Sequence, residues 1–309
     1  VWDPRDITTP GTGTHPILCN PAAQVRPVTY TYDGTGRILT ITPTALAATT
    51  FGYSGSKLNT ATVSDGTTSY TTTMRYGVPV APESGQPEYR PDLRDTATST
   101  WAQADTPDAN TGGTAICPPA ASTPTTSSGD LRDCPISYLD VNGRAVNTAG
   151  YSGTGAAGWH LSTTEYDTGG HTIRTLTAAN QEEALDPTSP ARIALGLPAS
   201  TATAALQLST ISQYTNSTLD GQPDLSDTFG PYHQVQLPDG TLTNARAHTH
   251  LTYDDGTEAG HPKDGANQPI AQHLLRTSQT GASRSADPTA TNETDQRTTE
   301  TRYWLGTNY

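Results

Sequence analysis

Two histidines near residue 250 are the residues in this sequence best able to bind a metal. His248 and His250 stand two positions apart, which places both side chains on one face of a strand, and Asp254, Glu258 and His261 follow closely. Imidazole and carboxylate groups are ligands for zinc and related metals. The same residues are also typical of the solvent face of a strand followed by a solvated turn, and their spacing does not match an EF-hand. We therefore predict neither a metal nor a cofactor, and keep His248, His250 and Asp254 as the candidate ligands.

A second pattern places an aspartate, a glycine and a basic residue within one short turn. Residues 32–37 read Y-D-G-T-G-R, residues 139–144 read L-D-V-N-G-R, and residues 166–171 read Y-D-T-G-G-H. An aspartate that opens a turn accepts backbone N–H bonds two residues on, and glycine supplies the positive φ that a type I turn with a bulge needs. A preceding tyrosine can pack on the sheet, and the basic residue can lie over an aromatic ring or meet an aspartate.

The roles that this pattern requires are structural and need neither a nucleophile nor a proton relay. The sequence does not identify the partner of Arg37. The residues that we assign to the turn motif are Tyr32, Asp33, Gly36, Arg37, Asp140, Gly143, Arg144, Tyr166, Asp167 and Gly170.

Patterns that would indicate catalysis are weak throughout the chain. No G-x-S-x-G elbow precedes a helix, and the glycine-rich segment 152–158 lacks the Lys-Ser/Thr pair of a phosphate loop. Cys117 is followed by two prolines, and no nearby histidine could activate it. We predict that the chain is not an enzyme. A hydrolase or toxin is a remote hypothesis, which ranks third after the structural and adhesive functions given at the end of this section.

The four tryptophans are candidates for ligand contact because all of them lie in polar surroundings. The flat face of a tryptophan on a loop can stack on a sugar ring, and Trp101 and Trp159 are the stacking candidates, beside Trp2 and Trp304. The alternative is that all four are ordinary core or rim residues.

The composition indicates many short strands joined by tight turns. Hydrophobic residues make up 32% and charged residues 15% of the 309 positions, while Gly 28, Pro 24 and a Tyr-to-Phe ratio of 14 to 2 favour turns and half-buried strands. We predict an all-β fold of repeated antiparallel hairpins. The net charge of −13 argues against nucleic acid and anionic lipid as partners, and no apolar run reaches the length of a membrane span.

The chain divides by composition into four stretches. Residues 1–27 form an irregular lead-in, residues 28–76 alternate as hairpin strands, and residues 77–134 form a Pro/Ser/Thr-rich insertion with one strand near Trp101. Residues 135–309 return to hairpins. They are interrupted at 178–209 by an Ala/Leu-rich stretch, which predicts short helices broken at Pro187 and Pro198.

The three cysteines, Cys19, Cys117 and Cys134, do not match a zinc motif. Cys117 and Cys134 bracket a loop with almost no core-forming residues, and a disulfide there would suit an exported protein. Two free thiols, or a pair that includes Cys19, are the alternatives. The chain begins at Val1 without a signal-peptide pattern, so we expect it to be a segment of something longer.

The stretch YTYDGTGR and its degenerate copies resemble the YD repeats of Rhs and teneurin-type proteins. The stretches TEYDTGGHTIRTLTAAN and LSDTFGPYHQVQLPDGT resemble Rhs-repeat proteins of actinomycetes, and the likeness covers residues 28–76 and 135–260. Leu139 stands in place of the tyrosine, with Tyr138 one residue off, His171 in place of the arginine, and Thr257 in place of the glycine of a fourth copy.

The resemblance implies a long β-sheet that spirals into a hollow shell. Such a shell often encloses a C-terminal toxin in bacterial members and serves cell-surface adhesion in animal relatives. The self-cleaving core of the family and its toxin domain do not match any part of this sequence.

Two hypotheses about function follow. The first is a structural segment of a secreted or cell-surface protein, part of a β-shell that encloses or presents a C-terminal toxin-like domain, with the rest of its own polypeptide as partner. The alternative is an adhesive module that binds a carbohydrate or a cell-surface protein.

Overall fold

A computed structural model describes residues 28–82, 84–85, 89–93, 112–119, 130–153, 158–236, 239–257, 261–287, 290 and 293–303. Within these ranges the chain forms sixteen β-strands and three short α-helices. The strands pair antiparallel wherever their register is given. The prediction of an all-β fold with a short helical insertion is therefore confirmed. In the described part of the chain, no helix is both long and apolar enough to cross a membrane.

The chain splits into two compact units. The first comprises Val1–Val78 and Thr114–Ile136, and the second comprises Pro79–Gly113 and Ser137–Tyr309. The strands that lie wholly or mainly in the first unit are β1 (Val28–Tyr32), β2 (Ile38–Pro43), β3 (Thr49–Ser54), β4 (Lys57–Ser64), β5 (Ser69–Val78) and β6 (Gly113–Cys117).

The second unit contains the remaining elements, and its sheet follows the order β7-β8-β9-β10-β11-β12-β14-β15-β16, with β13 paired to β14. These strands are β7 (Ile136–Leu139), β8 (Ala145–Tyr151), β9 (Trp159–Tyr166), β10 (Thr172–Leu176), β11 (Thr210–Asn216), β12 (Pro223–Phe229), β13 (His233–Gln236), β14 (Leu242–Tyr253), β15 (Leu275–Ser283) and β16 (Glu293–Glu300). Its helices are α1 (Ala178–Leu185), α2 (Pro190–Leu195) and α3 (Thr201–Gln207).

A row of threonines crosses strands β1 to β5 of the first unit. The registers of β1 to β5 place one threonine of each strand opposite a threonine of the next strand. Hydroxyl hydrogen bonds join Thr31 to Thr40 at 2.7 Å and Thr62 to Thr71 at 2.9 Å. Strands β1 to β4 contain no buried residue. Cross-strand threonine pairs therefore contribute to this sheet in place of a deep core. The row consists of Thr31, Thr40, Thr50, Thr62 and Thr71.

The second unit has a conventional buried face. In β9 burial alternates strictly along the strand, as a period of two requires when one face packs inward. The helices contribute to a cluster of buried apolar residues, which comprises Leu176, Ala184, Ala204, Ala205 and Leu208.

The helices lie within the predicted stretch 178–209, and residues suited to helix ends mark their boundaries. Thr177 caps α1 and Ser200 caps α3, each accepting a backbone N–H through its hydroxyl. Pro190 occupies the start of α2, where its missing N–H is not needed, and Gly196 ends that helix with a φ of 65°. Pro187 lies between α1 and α2, so the predicted break there is confirmed.

Two predicted stretches lie largely outside the described residues. The lead-in 1–27, with Trp2 and Cys19, is one of them, and most of the insertion 77–134, with the strand expected near Trp101, is the other. Trp304 also falls outside the described ranges.

Candidate functional site

The turn that follows β1 is built around the carboxylate of Asp33. The Asp33 N–H donates to the Arg37 carbonyl at 2.8 Å, and the Gly36 N–H donates to the Asp33 carbonyl at 3.1 Å. Oδ1 of Asp33 accepts the backbone N–H groups of Thr35 and Arg37 at 2.8 and 2.9 Å. Gly36 has a φ of 83°, which closes the turn without Cβ strain.

The same turn recurs at Asp140 and Asp167. In each copy the aspartate N–H donates to the carbonyl four residues on at 2.9 Å, and Oδ1 accepts the N–H of that residue at 2.9 or 2.8 Å. Gly143 and Gly170 have φ values of 79° and 92°. All three copies are therefore the same backbone structure.

The basic residue of each turn lies over a tyrosine of the following hairpin. The Arg37 guanidinium lies 4.4 Å from the ring centre of Tyr53, and Arg144 lies 4.6 Å from that of Tyr166. Each arginine also pairs with its own aspartate, at 2.7 Å in the first copy and 2.6 Å in the second. The partner of Arg37 that sequence alone left open is therefore Tyr53 together with Asp33.

Two further hydrogen bonds close each link. Nη1 of Arg37 donates to the Gly55 carbonyl, and Nη1 of Arg144 donates to the Asp167 carbonyl. The hydroxyl of the stacked tyrosine donates to the carbonyl next to the basic residue, from Tyr53 to Ile38 at 2.9 Å in the first copy. We call this unit of aspartate, basic residue and tyrosine the turn clamp.

Within the described ranges, two further links of this kind use a histidine or a lysine in place of the arginine. His171 takes the arginine position, with Nδ1 2.9 Å from Asp167, its ring 4.9 Å from that of Tyr214, and the Tyr214 hydroxyl donating to Thr172 at 3.2 Å. Lys57 lies 4.9 Å from the ring centre of Tyr76 without an aspartate in its turn. A pattern that begins with aspartate does not identify this last link, because the turn before Lys57 contains none.

The predicted fourth copy folds differently. Both carboxylate oxygens of Asp254 are occupied by the backbone N–H groups of Gln272 and Leu274 and by the buried His261. The turn structure recurs instead at 264–268, where Asp264 accepts the N–H of Gln268 at 2.8 Å and Asn267 takes the positive φ of 63°. Asparagine tolerates that conformation better than most residues, and this is the signal that could have identified the turn.

Hydrogen bonding within the turns lowers the carboxyl pKa values. The backbone N–H of Arg37 and the Thr35 hydroxyl hold the pKa of Asp33 well below its usual range. The backbone N–H groups of Thr68 and Thr67 lower the pKa of Asp65 to about 2. Burial opposes this effect at Asp140, but hydrogen bonds from Arg144 outweigh it, and the pKa of that carboxyl is also lowered. The turn aspartates are therefore charged at neutral pH.

Cys117 and Cys134 form a disulfide that spans 17 residues of chain. Both cysteines are buried, and the Ile116 N–H donates to the Pro135 carbonyl at 3.1 Å beside the bridge. Among the described residues, the disulfide anchors the end of β6.

Trp159 does not have the exposure that a sugar-stacking residue needs. It is 8% exposed and its ring packs edge-on against Tyr151, with ring centres 5.2 Å apart. Trp159 is the first residue of β9, and the alternation of that strand places its side chain in the core. Its assignment as a stacking candidate is therefore wrong. Trp101 lies outside the described residues.

Tyr138, which stands one residue before the expected tyrosine position, faces the interior. It is fully buried and its hydroxyl donates to the Pro79 carbonyl at 3.2 Å. Burial raises the pKa of this phenol.

The three candidate metal ligands separate into two groups. His248 and His250 both contact the Asp227 carboxylate, at 3.0 and 2.7 Å, whereas Asp254 pairs with His261. The described residues contain no group of three or more His, Cys, Asp or Glu side chains that could hold a metal. The local pattern did not identify Asp227 because it lies more than twenty residues away, on the neighbouring strand β12.

Comparison with known proteins adds little to this geometry. No family model matches the chain, and no curated protein matches it. Among solved structures, TcdB2-TccC3-TEV is 10% identical with a TM-score of 0.21 and TcdB2-TccC3 is 11% identical with a TM-score of 0.22. Each alignment covers 88% of this chain, which spans only 15% or 16% of those chains.

A porin-like protein from Bacteroides uniformis ATCC 8492 is 13% identical with a TM-score of 0.16, over 92% of this chain and 81% of that one. At these TM-scores the similarities carry no argument about fold or activity, so the functional interpretation depends on the residues themselves.

Proposed function

We propose that this chain is a structural segment of an exported YD/Rhs-repeat protein, part of a β-shell that encloses or presents a toxin-like domain of the same polypeptide. The partner of the chain is then the rest of its own polypeptide, and the location is extracellular or at the cell surface. We assign this wall function no catalytic residue.

The turn clamp is the observation that supports this proposal. In its arginine form the basic residue is held by an ion pair to the aspartate of its own turn, at both Arg37 and Arg144. A cation–π contact and two hydrogen bonds from side chains to backbone carbonyls then join that turn to the next hairpin. Side chains devoted to joining successive hairpins contribute to a continuous sheet.

A wall function also requires that strand edges be occupied by neighbours. Each strand from β8 to β12 pairs with the next in sequence, and β12 then pairs with β14, which pairs with β15. A paired edge does not accept foreign strands, and a continuous sheet excludes proteases from whatever lies behind it.

Limited proteolysis of the intact parent polypeptide tests the proposal. The region that follows this chain should resist a protease in the intact protein and be digested when expressed alone. Replacing both Arg37 and Arg144 by alanine should shorten the time for which that region resists the protease. The control is Arg302→Ala, because Arg302 is 91% exposed in its side chain and meets Glu300 only at 3.7 Å. Equal digestion in the intact and isolated forms would show that the wall function is wrong.

A second candidate function, binding of a glycan, is supported by a groove in the second unit. The groove has a volume of about 250 Å³ and lies at the ends of β11, β12 and β14. Its lining includes Asn216, Asp224, His250 and Tyr253, so an aromatic ring stands among hydrogen-bonding groups that suit a sugar.

A glycan array separates the two candidates. Glycan binding predicts a bound sugar that is lost in Tyr253→Ala and retained in Tyr303→Ala, because Tyr303 is 44% exposed but does not line the groove. An array on which the folded chain binds no sugar would remove this candidate and leave the wall function untouched.

A further inference from the structure

A serine, a histidine and a glutamate of the second unit are joined in series by hydrogen bonds, away from the turn clamps. Oγ of Ser152 lies 2.6 Å from Nε2 of His160, and Nδ1 of His160 is hydrogen bonded to Oε1 of Glu182. Ser152 directly follows β8, His160 is the second residue of β9, and Glu182 lies on α1. A nucleophile bonded to a base, which a third group orients in turn, is the arrangement that activates serine for acyl transfer.

The hydrogen bonds of His160 make the nitrogen that faces Ser152 the base. An ionised carboxylate only accepts hydrogen bonds, and a neutral imidazole carries a single N–H. In the neutral ring the proton therefore lies on Nδ1, where it is donated to Glu182, and Nε2 keeps its lone pair. The Ser152 hydroxyl donates to that lone pair, which is the direction of proton transfer that a general base requires.

Two glycines hold Ser152 in place at the neck of the glycine-rich segment 152–158. The Ser152 N–H donates to the Gly158 carbonyl at 3.0 Å. A Cβ added to Gly153 would lie 2.6 Å from Cα of Gly158, and one added to Gly158 would lie 2.7 Å from the ring of Tyr151. The backbone therefore approaches itself as closely as glycine alone permits, and this fixes the serine beside the histidine.

The three side chains are accessible to a substrate. Ser152 is exposed, and the side chains of His160 and Glu182 are 35% and 51% exposed. The backbone N–H of Gly153 donates to no group in the described part of the chain. In serine hydrolases the N–H of the residue after the nucleophile stabilises the oxyanion, so this donor is available for that role.

We propose that Ser152 is the nucleophile of an esterase site, with His160 as its general base and Glu182 as the residue that positions His160. The wall function involves no catalytic residue, so this activity is additional to it. Ser152 is exposed and does not line the groove at the ends of β11, β12 and β14. The substrate class that fits is therefore an ester with a short acyl group, which needs no enclosed cavity.

The reaction passes through an acyl-serine. Oγ of Ser152 attacks the acyl carbon while its proton moves to Nε2 of His160, and Glu182 accepts the Nδ1–H of the imidazolium. The ester C–O bond then breaks, and the alcohol leaves with the proton from His160. Water attacks the acyl-serine with His160 again as the base, the carboxylic acid is released, and the proton returns to Ser152.

Covalent labelling and ester hydrolysis by the folded 309-residue chain test the site. Diisopropyl fluorophosphate should phosphorylate Ser152, which peptide mass spectrometry locates. Hydrolysis of para-nitrophenyl acetate should begin with a burst of para-nitrophenol as the acyl-serine forms. Ser152→Ala should lose both the label and the burst, and its hydrolysis rate should be about a hundredfold lower, which is within the usual contribution of a general base.

Three further variants assign the roles. His160→Gln keeps a hydrogen-bonding side chain but has no base, so it should hydrolyse the ester as slowly as Ser152→Ala. Glu182→Gln should lower kcat while KM stays unchanged, because Glu182 acts on the imidazole and does not touch the ester. The matched control is Ser162→Ala on the same strand as His160, because the Ser162 hydroxyl bonds Thr148 and no histidine. This control should keep the activity of the parent.

Two results would overturn the esterase site. One is the absence of label from Ser152 in the folded parent chain, a measurement that needs no variant to fold. The other is equal ester hydrolysis by the parent and by Ser152→Ala. Either result would leave the wall function untouched, because the turn clamps do not include these residues.

Discussion

Gly143 is the residue at which backbone strain can be separated from crowding. It has a φ of 79° with nothing near the position of an added Cβ, and Gly150 in β8 is equally open but has no positive φ. Gly143→Ala should therefore lower the free energy of unfolding by about 1–2 kcal/mol, because only the left-handed conformation is penalised. Gly150→Ala should be neutral or slightly stabilising. Urea denaturation of the two variants provides the comparison, and equal losses would contradict the strain argument.

Arg144 tests the turn clamp in the more buried of its two arginine copies. The Arg144→Ala variant leaves Asp140, which is 5% exposed, without its charged donor and Tyr166 without its cation. Hydrogen bonds to charged groups contribute about 1.5–3 kcal/mol, so we expect a loss near 2 kcal/mol in chemical denaturation. Tyr166→Phe, which loses only the 3.1 Å bond to the Ala145 carbonyl, should lose about 1 kcal/mol. A larger loss in the phenylalanine variant would show that the arginine is not the main part of the clamp.

The carboxyl of Asp65 should titrate far below an ordinary aspartate. Its pKa falls to about 2 because the N–H groups of Thr68 and Thr67 bond the charged form. An unfolded aspartate titrates near pH 3.9, so this carboxylate stabilises the folded state above that value and the stabilisation is lost as pH falls from about 4 to about 2. Carbon-13 NMR of the folded chain should give a midpoint near 2, and the urea-unfolded chain a midpoint near 3.9. A folded midpoint at the ordinary value would contradict the bonding seen at this turn.

Sequence predicted the residues of each turn but not the partners of those residues. Asp33, Gly36 and Arg37 lie within five positions of one another, so local geometry alone assigns their roles. The ring under Arg37 belongs to Tyr53 on another hairpin, and Glu293 stands 45 positions from His248, to which it is hydrogen bonded. Contacts over such separations depend on strand register, which the local pattern does not fix.

The helical insertion can be tested through its caps. The Ser200 hydroxyl accepts the Thr203 N–H at 3.3 Å at the start of α3. Ser200→Ala should lower the free energy of unfolding by about 1 kcal/mol, because one donor of the first turn loses its partner. Ser200→Asp keeps an acceptor in place and should retain most of the stability. Thermal denaturation compares the two, and an equal loss in both would mean that the cap is not what stabilises α3.

The boundaries of helices and turns could be predicted from sequence where a proline or a glycine marks them. Pro187 and Pro190 restrict the backbone, and Gly196 adopts the left-handed conformation that ends α2, so the helical breaks follow from the residues. The turn at Asp264 carries asparagine in place of glycine, and so a search for the glycine pattern does not find it. Trp159 is buried because of the face on which its strand places it, which depends on what packs against that strand.

At the scale of the whole molecule, the two compact units rely on different sources of stability. In the first, β1 to β4 contain no buried residue and a disulfide anchors the end of β6. In the second, alternating strands and three helices enclose an apolar cluster. Opening free energies follow buried apolar contact, so the amides of β1 to β4 should exchange faster than those of β9. The low content of apolar residues agrees with the first unit, whose strands β1 to β4 contain no buried residue, better than with the apolar cluster of the second unit.

The disulfide between Cys117 and Cys134 should stabilise the fold of the first unit. Cys117 and Cys134 are 17 residues apart, and closing a loop of that length restricts the unfolded chain by about 3 kcal/mol. Reduction should raise the intact mass by two hydrogens for this bridge and lower the free energy of unfolding by about that amount. The Cys117→Ala, Cys134→Ala double variant should match the reduced protein, because both side chains are small and buried. Labelling of both thiols in the folded, untreated protein would show that the bridge is absent, and the first unit would then require another source for its stability.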